Sequence, residues 1–277
     1  MTPVTSIDLT ASQPWRRSYD DLRSRLLAQY RAIPTGTPIR LAKRTSNLFR
    51  PRDAVSAPGL DVAAFDGVLD VDPVARTAEV LGMTTYEHLV AATLPFGLMP
   101  MCVPQLRTIT LGGAVTGLGI ESASFRNGTP HESVLEMDIL TGAGEILTVS
   151  GRPDDPHRDL FFGFPNSYGS LGYALRLKIE LEPTRPYVLL RHVRYATAQA
   201  LADGMSAISS TRQFEGRQVD FLDGTVFSAD EQYLTVGTMV DEPPPGMKPS
   251  DYTGMDIYYR SIQRRAIDVL TIHDYLW

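Results

Sequence analysis

Thr110-Leu111-Gly112-Gly113-Ala114-Val115-Thr116-Gly117-Leu118-Gly119-Ile120-Glu121-Ser122 is the stretch on which the reading of this protein turns. Five of its first eight residues are threonine or glycine. Such a run leaves backbone N–H groups uncovered by side chains and lets the backbone approach a ligand closely, so it can wrap an anion. It equally suits a glycine-rich structural loop, and composition leaves both readings open. It is not a dinucleotide fingerprint: Gly117-Leu118-Gly119 supplies G-x-G, but Ser122 stands at the next glycine position. It is not a Walker A loop, since no Gly-Lys-Ser/Thr follows. The glycine content of Thr108 to Gly119 predicts irregular backbone rather than a regular helix.

The flanks alternate between strands and helices. Val68 to Asp72 and Thr77 to Leu81 read as strands around a turn at Pro73. Thr84 to Leu94 reads as a helix capped by Thr84 or Thr85. Leu98 to Gln105 is a proline-punctuated loop. VLEMDIL and EILTV form a hairpin around Gly142-Ala143-Gly144. Tyr173 to Glu182 alternates apolar and polar residues, which predicts a strand with one buried and one wet face. Pro183 and Pro186 end it and mark a domain boundary. Beyond them, Val188 to Tyr195, Val219 to Leu222 and Tyr233 to Met239 read as strands. Thr197 to Ser210 and Tyr258 to Leu270 read as helices. Upstream, Leu22, Leu26 and Tyr30 stripe a helix ringed by Arg16, Arg17, Arg23, Arg25 and Arg31. Such a helix can lie on an anionic membrane; the reading taken is a helix packed on its own domain.

Composition narrows the classes. The 277 residues suggest about two domains. A formal charge of −6 argues against a nucleic-acid binder with a broadly basic surface. The single Cys102 excludes an intramolecular disulfide, and the five histidines lack metal-ligand spacing. No apolar run is long enough for a signal peptide or a membrane span.

The central pattern resembles the FAD-binding fold of the vanillyl-alcohol oxidase, or p-cresol methylhydroxylase, type. There a T-x-G-G-x-x-x-x-x-G loop follows the FAD pyrophosphate, and Thr110 to Gly119 matches that form. Ala42-Lys43-Arg44-Thr45-Ser46-Asn47 occupies the place of the first pyrophosphate loop, without its usual glycines. Met137 to Glu145 resembles the family hairpin, and Asp159 to Phe162 with Ser170-Leu171-Gly172 resembles the approach to the adenine contact. Within the family, Gly117 to Ser124 is similar to the loop of sterol delta-24 reductases, as are Val219 to Gly224 and Val236 to Glu242.

This resemblance implies an α+β protein: a two-subdomain FAD-binding fold of the p-cresol methylhydroxylase type, then an incomplete α+β substrate domain. The expected division is an N-terminal helical extension over 1–35, an FAD-binding domain over 36–186 and a partial substrate domain over 187–277. It implies cofactor contacts at Lys43, Arg44, Thr45, Ser46 and Asn47. A second set covers Thr110, Leu111, Gly112, Gly113, Ala114, Gly117, Leu118, Gly119, Ile120, Glu121 and Ser122, and a third Gly172 and Tyr173. No histidine lies between Ala42 and Asn47, so FAD is expected to be held without a covalent link. The implied activity is reduction of a C=C bond in the side arm of a sterol-like or other hydrophobic small molecule, with NADPH reducing the flavin. Alternatives are a flavin oxidoreductase acting on a sugar or alcohol, and a truncated non-catalytic flavoprotein. Glu121, the ionisable side chain inside the loop, is the candidate catalytic acid or relay; its rival role is a structural acceptor for loop N–H groups. Cys102 reads as a packed small apolar residue. No metal and no nucleic-acid partner are expected. The expected location is cytoplasmic, with peripheral membrane contact left open.

Overall fold

The computed structural model describes residues 14–43, 58–253 and 257–277. Helix α1 (Trp15–Arg31) is followed by β1 (Arg40–Ala42) and β2 (Gly59–Asp61), which pair in parallel. Next come β3 (Val68–Asp72), β4 (Thr77–Leu81), α2 (Tyr86–Thr93) and β5 (Leu98–Pro100). Helices α3 (Leu111–Gly117) and α4 (Ser124–Asn127) lead into the hairpin β6 (Val134–Leu140) and β7 (Ile146–Ser150), then α5 (Arg158–Gly163) and β8 (Tyr173–Pro183). These strands make a six-stranded sheet, β3-β4-β8-β6-β7, with β5 paired to the C-terminal end of β8.

After β8 come β9 (Tyr187–Tyr195), α6 (Ala198–Thr211), the short hairpin β10 (Gln213–Phe214) and β11 (Arg217–Gln218), β12 (Phe221–Ser228) and β13 (Glu231–Val240). The last elements are α7 (Tyr258–Ser261), β14 (Ile267–Thr271) and α8 (Ile272–Leu276). A second, four-stranded sheet runs β12-β13-β9-β14. Its outer face packs on α6 through Leu222, Leu234 and Val236. Its inner face puts Val188, Leu190, Phe221 and Leu270 into the same cluster as Val134, Ile179 and Leu181 of the first sheet. The proline boundary after β8 therefore separates two sheets that share one continuous core.

Three expectations change. Leu98 to Pro100 is a strand, because it completes the end of β8. The stretch expected to be helical from Tyr258 to Leu270 is helical only to Ser261; Ile267-Asp268-Val269-Leu270-Thr271 is a strand on the free edge of β9. Its β-branched residues suit that pairing. The polar face of β8 is not wet throughout. Ala174 opposes Ile139 and Arg176 opposes Asp138, so Leu175 is one extra residue in β8 and turns into the cluster beneath α1. Arg176 and Glu182 are both buried. Arg176 reaches Asp138 at 3.1 Å and also pairs with Glu79 and Glu136, while Glu182 pairs with Arg126. Tyr19 of α1 donates to the same Asp138 at 2.7 Å. Trp15, Tyr19 and Leu26 bury that side of the sheet with Leu60, Phe65 and Leu81, so the arginine-ringed helix packs on its own domain.

Candidate functional site: the glycine segment and its neighbours

Thr110 opens the glycine segment by capping a helix. Its hydroxyl accepts the Gly113 N–H at 3.2 Å and its carbonyl the Ala114 N–H at 2.9 Å. Leu111 N–H donates to Thr84 O and Gly112 N–H to Gly82 O, each at 2.9 Å. Leu111, Ala114 and Val115 are buried. The cap, the two outside acceptors and this apolar face offset the glycine penalty, which is why α3 forms where irregular backbone was expected. A Cβ on Gly112 would stand 2.7 Å from Gly82 O, and one on Gly82 would stand 2.1 Å from Ala174 O. The early glycines thus let α3, β4 and β8 approach at one end of the six-stranded sheet. A Cβ on Gly113 would meet only the Thr110 hydroxyl.

The later part of the segment faces outward. Gly117 borders open space, Leu118 has φ +55°, and Ile120 is 80% exposed. Gly119 lies near Pro130 at ordinary contact distance. The 166–173 loop comes to the same end of the sheet. Asn166 and Tyr168 N–H groups donate to Val115 O and Thr116 O, closing the C-terminal turn of α3. Both residues have positive φ, and the Ser167 hydroxyl between them is buried without a partner among the described residues. Gly172 has φ +131° and lies against Leu140 O, which only glycine tolerates. Tyr173 donates to Ile39 O at 3.3 Å and so ties the start of β8 to β1, after which Lys43 follows. Arg44, Thr45, Ser46 and Asn47 lie outside the described residues.

Residues 28–150 match the family model described as FAD binding domain. This segment is an FAD-binding domain. Among curated proteins, the sequence is similar to Delta(24)-sterol reductase of Arabidopsis thaliana, 28% identical over 65% of this protein and 32% of that one. It is similar to the Homo sapiens Delta(24)-sterol reductase, 26% identical over 70% of this protein and 35% of that one. It is also similar to Cytokinin dehydrogenase 3 of Arabidopsis thaliana, 33% identical over 70% and 32%. The matched part spans about a third of the length of these relatives.

The far end of the glycine segment joins the FAD-binding domain to the second sheet. Ser122 accepts the Leu222 N–H at 2.9 Å through its carbonyl, and its hydroxyl lies 2.9 Å from the Tyr275 hydroxyl. Glu121 accepts the Gln105 N–H at 2.8 Å. Burial pushes its carboxyl up, the Gln105 hydrogen bond opposes this, and the charge of Asp223 adds to the rise. Cys102 is buried against Ser124, and burial raises its thiol, as fits a packed residue. Asp223, Tyr258, Tyr275 and His192 gather near this junction. Sequence reasoning assigned none of them a role at the site and read Tyr258 only as part of a helix. Asp223 stood inside the Val219 to Gly224 resemblance, but nothing local shows that its charge reaches Glu121. No group of metal-ligating side chains occurs among the described residues. No described helix is long and apolar enough to cross a membrane.

Proposed function

We propose that this protein is the cofactor-holding part of an FAD-dependent oxidoreductase that reduces a C=C bond in a small hydrophobic, sterol-like molecule, with NADPH as reductant. The observation that carries this is the coincidence of the FAD-binding match with the glycine segment and its junction to a second sheet. The division follows the two sheets: an FAD-binding part over 36–186, on which the 1–35 extension lays α1, and a substrate part over 187–277. The rim of Gly117, Leu118 and Ile120, the positive-φ loop and the unpartnered Ser167 hydroxyl fit a planar ligand carrying phosphates. Lys43 would offset phosphate charge. Gly117 to Ser122 would line the ring system, Gly172 and Tyr173 the adenine side. FAD, when bound non-covalently here, supplies two-electron and hydride chemistry; the protein supplies orientation and exclusion of water. The relatives named sterol reductase favour an olefin. The cytokinin dehydrogenase relative favours dehydrogenation of a substrate instead.

Gly117→Val tests the cofactor reading. A Cβ there meets no atom within 4 Å outside its own stretch of helix. The variant should fold like the parent and lose most of the yellow flavin absorbance; full occupancy in the folded variant refutes the reading. Acid precipitation should release the colour into the supernatant. Anaerobic assay separates the two reactions: a reductase oxidises NADPH and then a delta-24 olefin reoxidises the flavin, whereas a dehydrogenase substrate bleaches it directly.

A further inference from the structure

The inner face of the four-stranded sheet carries a polar row in apolar surroundings. Asp223 on β12 lies opposite Thr235 on β13, and Thr235 opposite His192 on β9. Residues paired across strands share a face, and their neighbours Phe221, Leu190 and Val188 belong to the shared core. Thr235 and His192 satisfy each other, with Nδ1 and Oγ1 at 2.9 Å. His192 is 6% exposed, and its Nε2 has no partner among the described residues. Asp223 makes no side-chain hydrogen bond or ion pair among the described residues. Tyr258 packs on the His192 ring at 6.3 Å between centroids, and Tyr275 on Phe221 at 4.5 Å. The Tyr275 hydroxyl then reaches Ser122 of the glycine segment.

Asp223 has exposed surface, yet protein surrounds it closely enough that burial raises its carboxyl. Its exposed surface is open to a substrate. Glu121, Tyr258 and Tyr275 feel the Asp223 charge, His192 lies two strands away along the row, and Asp268 acts on His192 and Tyr258. Neither Asp223 nor Glu121 forms an ion pair among the described residues. Both phenols are pushed up, chiefly by burial, and stay neutral. His192 is pushed down to about 4 by burial and is neutral too. Glu121 already serves Gln105.

We propose that Asp223 is the proton donor of the C=C reduction, in a site walled by Tyr258 and Tyr275. This rests on the olefin-reduction reading above. One alkene carbon gains the hydride that a reduced flavin supplies, and the flavin leaves oxidised. The alkene electron pair takes the Asp223 proton onto the other carbon, the carboxyl O–H breaks, and water reprotonates the carboxylate. A nicotinamide reductant restores the flavin.

The test has two arms. Carboxyl-carbon NMR of the aspartate-labelled protein should show one aspartate titrating above the ordinary value of about 3.9, and Asp223→Asn should remove that resonance. An ordinary titration for the resonance that Asp223→Asn removes overturns the proposal. In the intact flavin-loaded protein, Asp223→Asn should slow reoxidation of the reduced flavin by a delta-24 olefin by about 10²–10⁴-fold. Flavin content and reduction by NADPH should not change. Equal reoxidation by parent and Asp223→Asn refutes the assignment while leaving the reductase reading intact. A parent protein that no olefin reoxidises refutes the reductase reading itself, and the NMR arm still decides whether Asp223 holds a proton.

Discussion

Gly82 and Gly112 do different work from Gly117, although all three belong to one glycine-rich neighbourhood. Gly82→Ala would drive a methyl into the backbone of Ala174, a contact nothing flexible can relieve. Such overpacking costs about 1–3 kcal/mol or more. Gly117→Ala, facing open space, should stay close to parent stability, and urea midpoints for the two variants check the contrast. A run of glycines was legible as a motif. Which of them pack against backbone was not, because Gly82 and Ala174 lie far apart in sequence. His192 offers a pH test. Burial holds it at about 4, with the Asp268 charge opposing. Above pH about 6.5 the imidazole is neutral whether folded or unfolded. Below that, the unfolded state takes up a proton that the folded state refuses until pH nears 4. Stability should therefore fall from pH 6.5 to 4 by up to about 3 kcal/mol. His192→Gln should flatten that part of the profile; an unchanged slope would show that other groups cause it.

Among the elements, α3 owes its start to Thr110. Thr110→Ala should cost about 1 kcal/mol in a denaturation midpoint, as lost N-caps do. The cap was invisible behind the glycines, since propensity alone argues against a helix and the acceptors Thr84 and Gly82 come from another part of the sheet. The β8 strand was legible from its period, but the burial of its polar face was not: Arg176 and Glu182 look like solvent residues until Asp138, Glu79 and Arg126 meet them. Burial would raise the Asp138 carboxyl, yet hydrogen bonds and charge from Arg176, with Tyr19 and Thr148, hold it below the ordinary range. Its stabilisation is full above the unfolded pKa of about 3.9 and is lost as pH falls through the lower folded value. Arg176→Met would leave buried carboxylates uncompensated and should cost about 3–5 kcal/mol near pH 7. Less cost at a pH that protonates those carboxylates would identify the cause. The misread second half of Tyr258 to Leu270 has the same origin: the vacant edge of β9 is a tertiary fact.

On the scale of the whole molecule, the proline break after β8 suggested two independent bodies, while the inner face of the second sheet completes the core of the first. Trp15, the first residue of α1, packs in the cluster between that helix and the sheet, and Trp277 packs against the shared core. Two single-tryptophan variants, Trp15→Phe and Trp277→Phe, therefore report on opposite sides of the structure. Their fluorescence midpoints in urea should coincide, as one cooperative unit requires. Separate midpoints would show that the sheets unfold independently. The motif order along the sequence made the resemblance to the FAD-binding family legible; the site proposed between the sheets was not, because its residues come from distant segments.

The bond from Ser122 to Tyr275 joins residues 153 apart in sequence. During synthesis, the glycine segment emerges long before the tyrosine that fastens its far end. Closing so long a loop is slow relative to forming the local α3 cap. The segment therefore acquires its shape in two stages, with the rim beside Glu121 completed after α3. A nascent polypeptide halted before Tyr275 should hold α3 against its sheet and Ser122 against Leu222, while the Ser122 hydroxyl still awaits its tyrosine, so the shape of that rim is completed well after the glycine segment emerges.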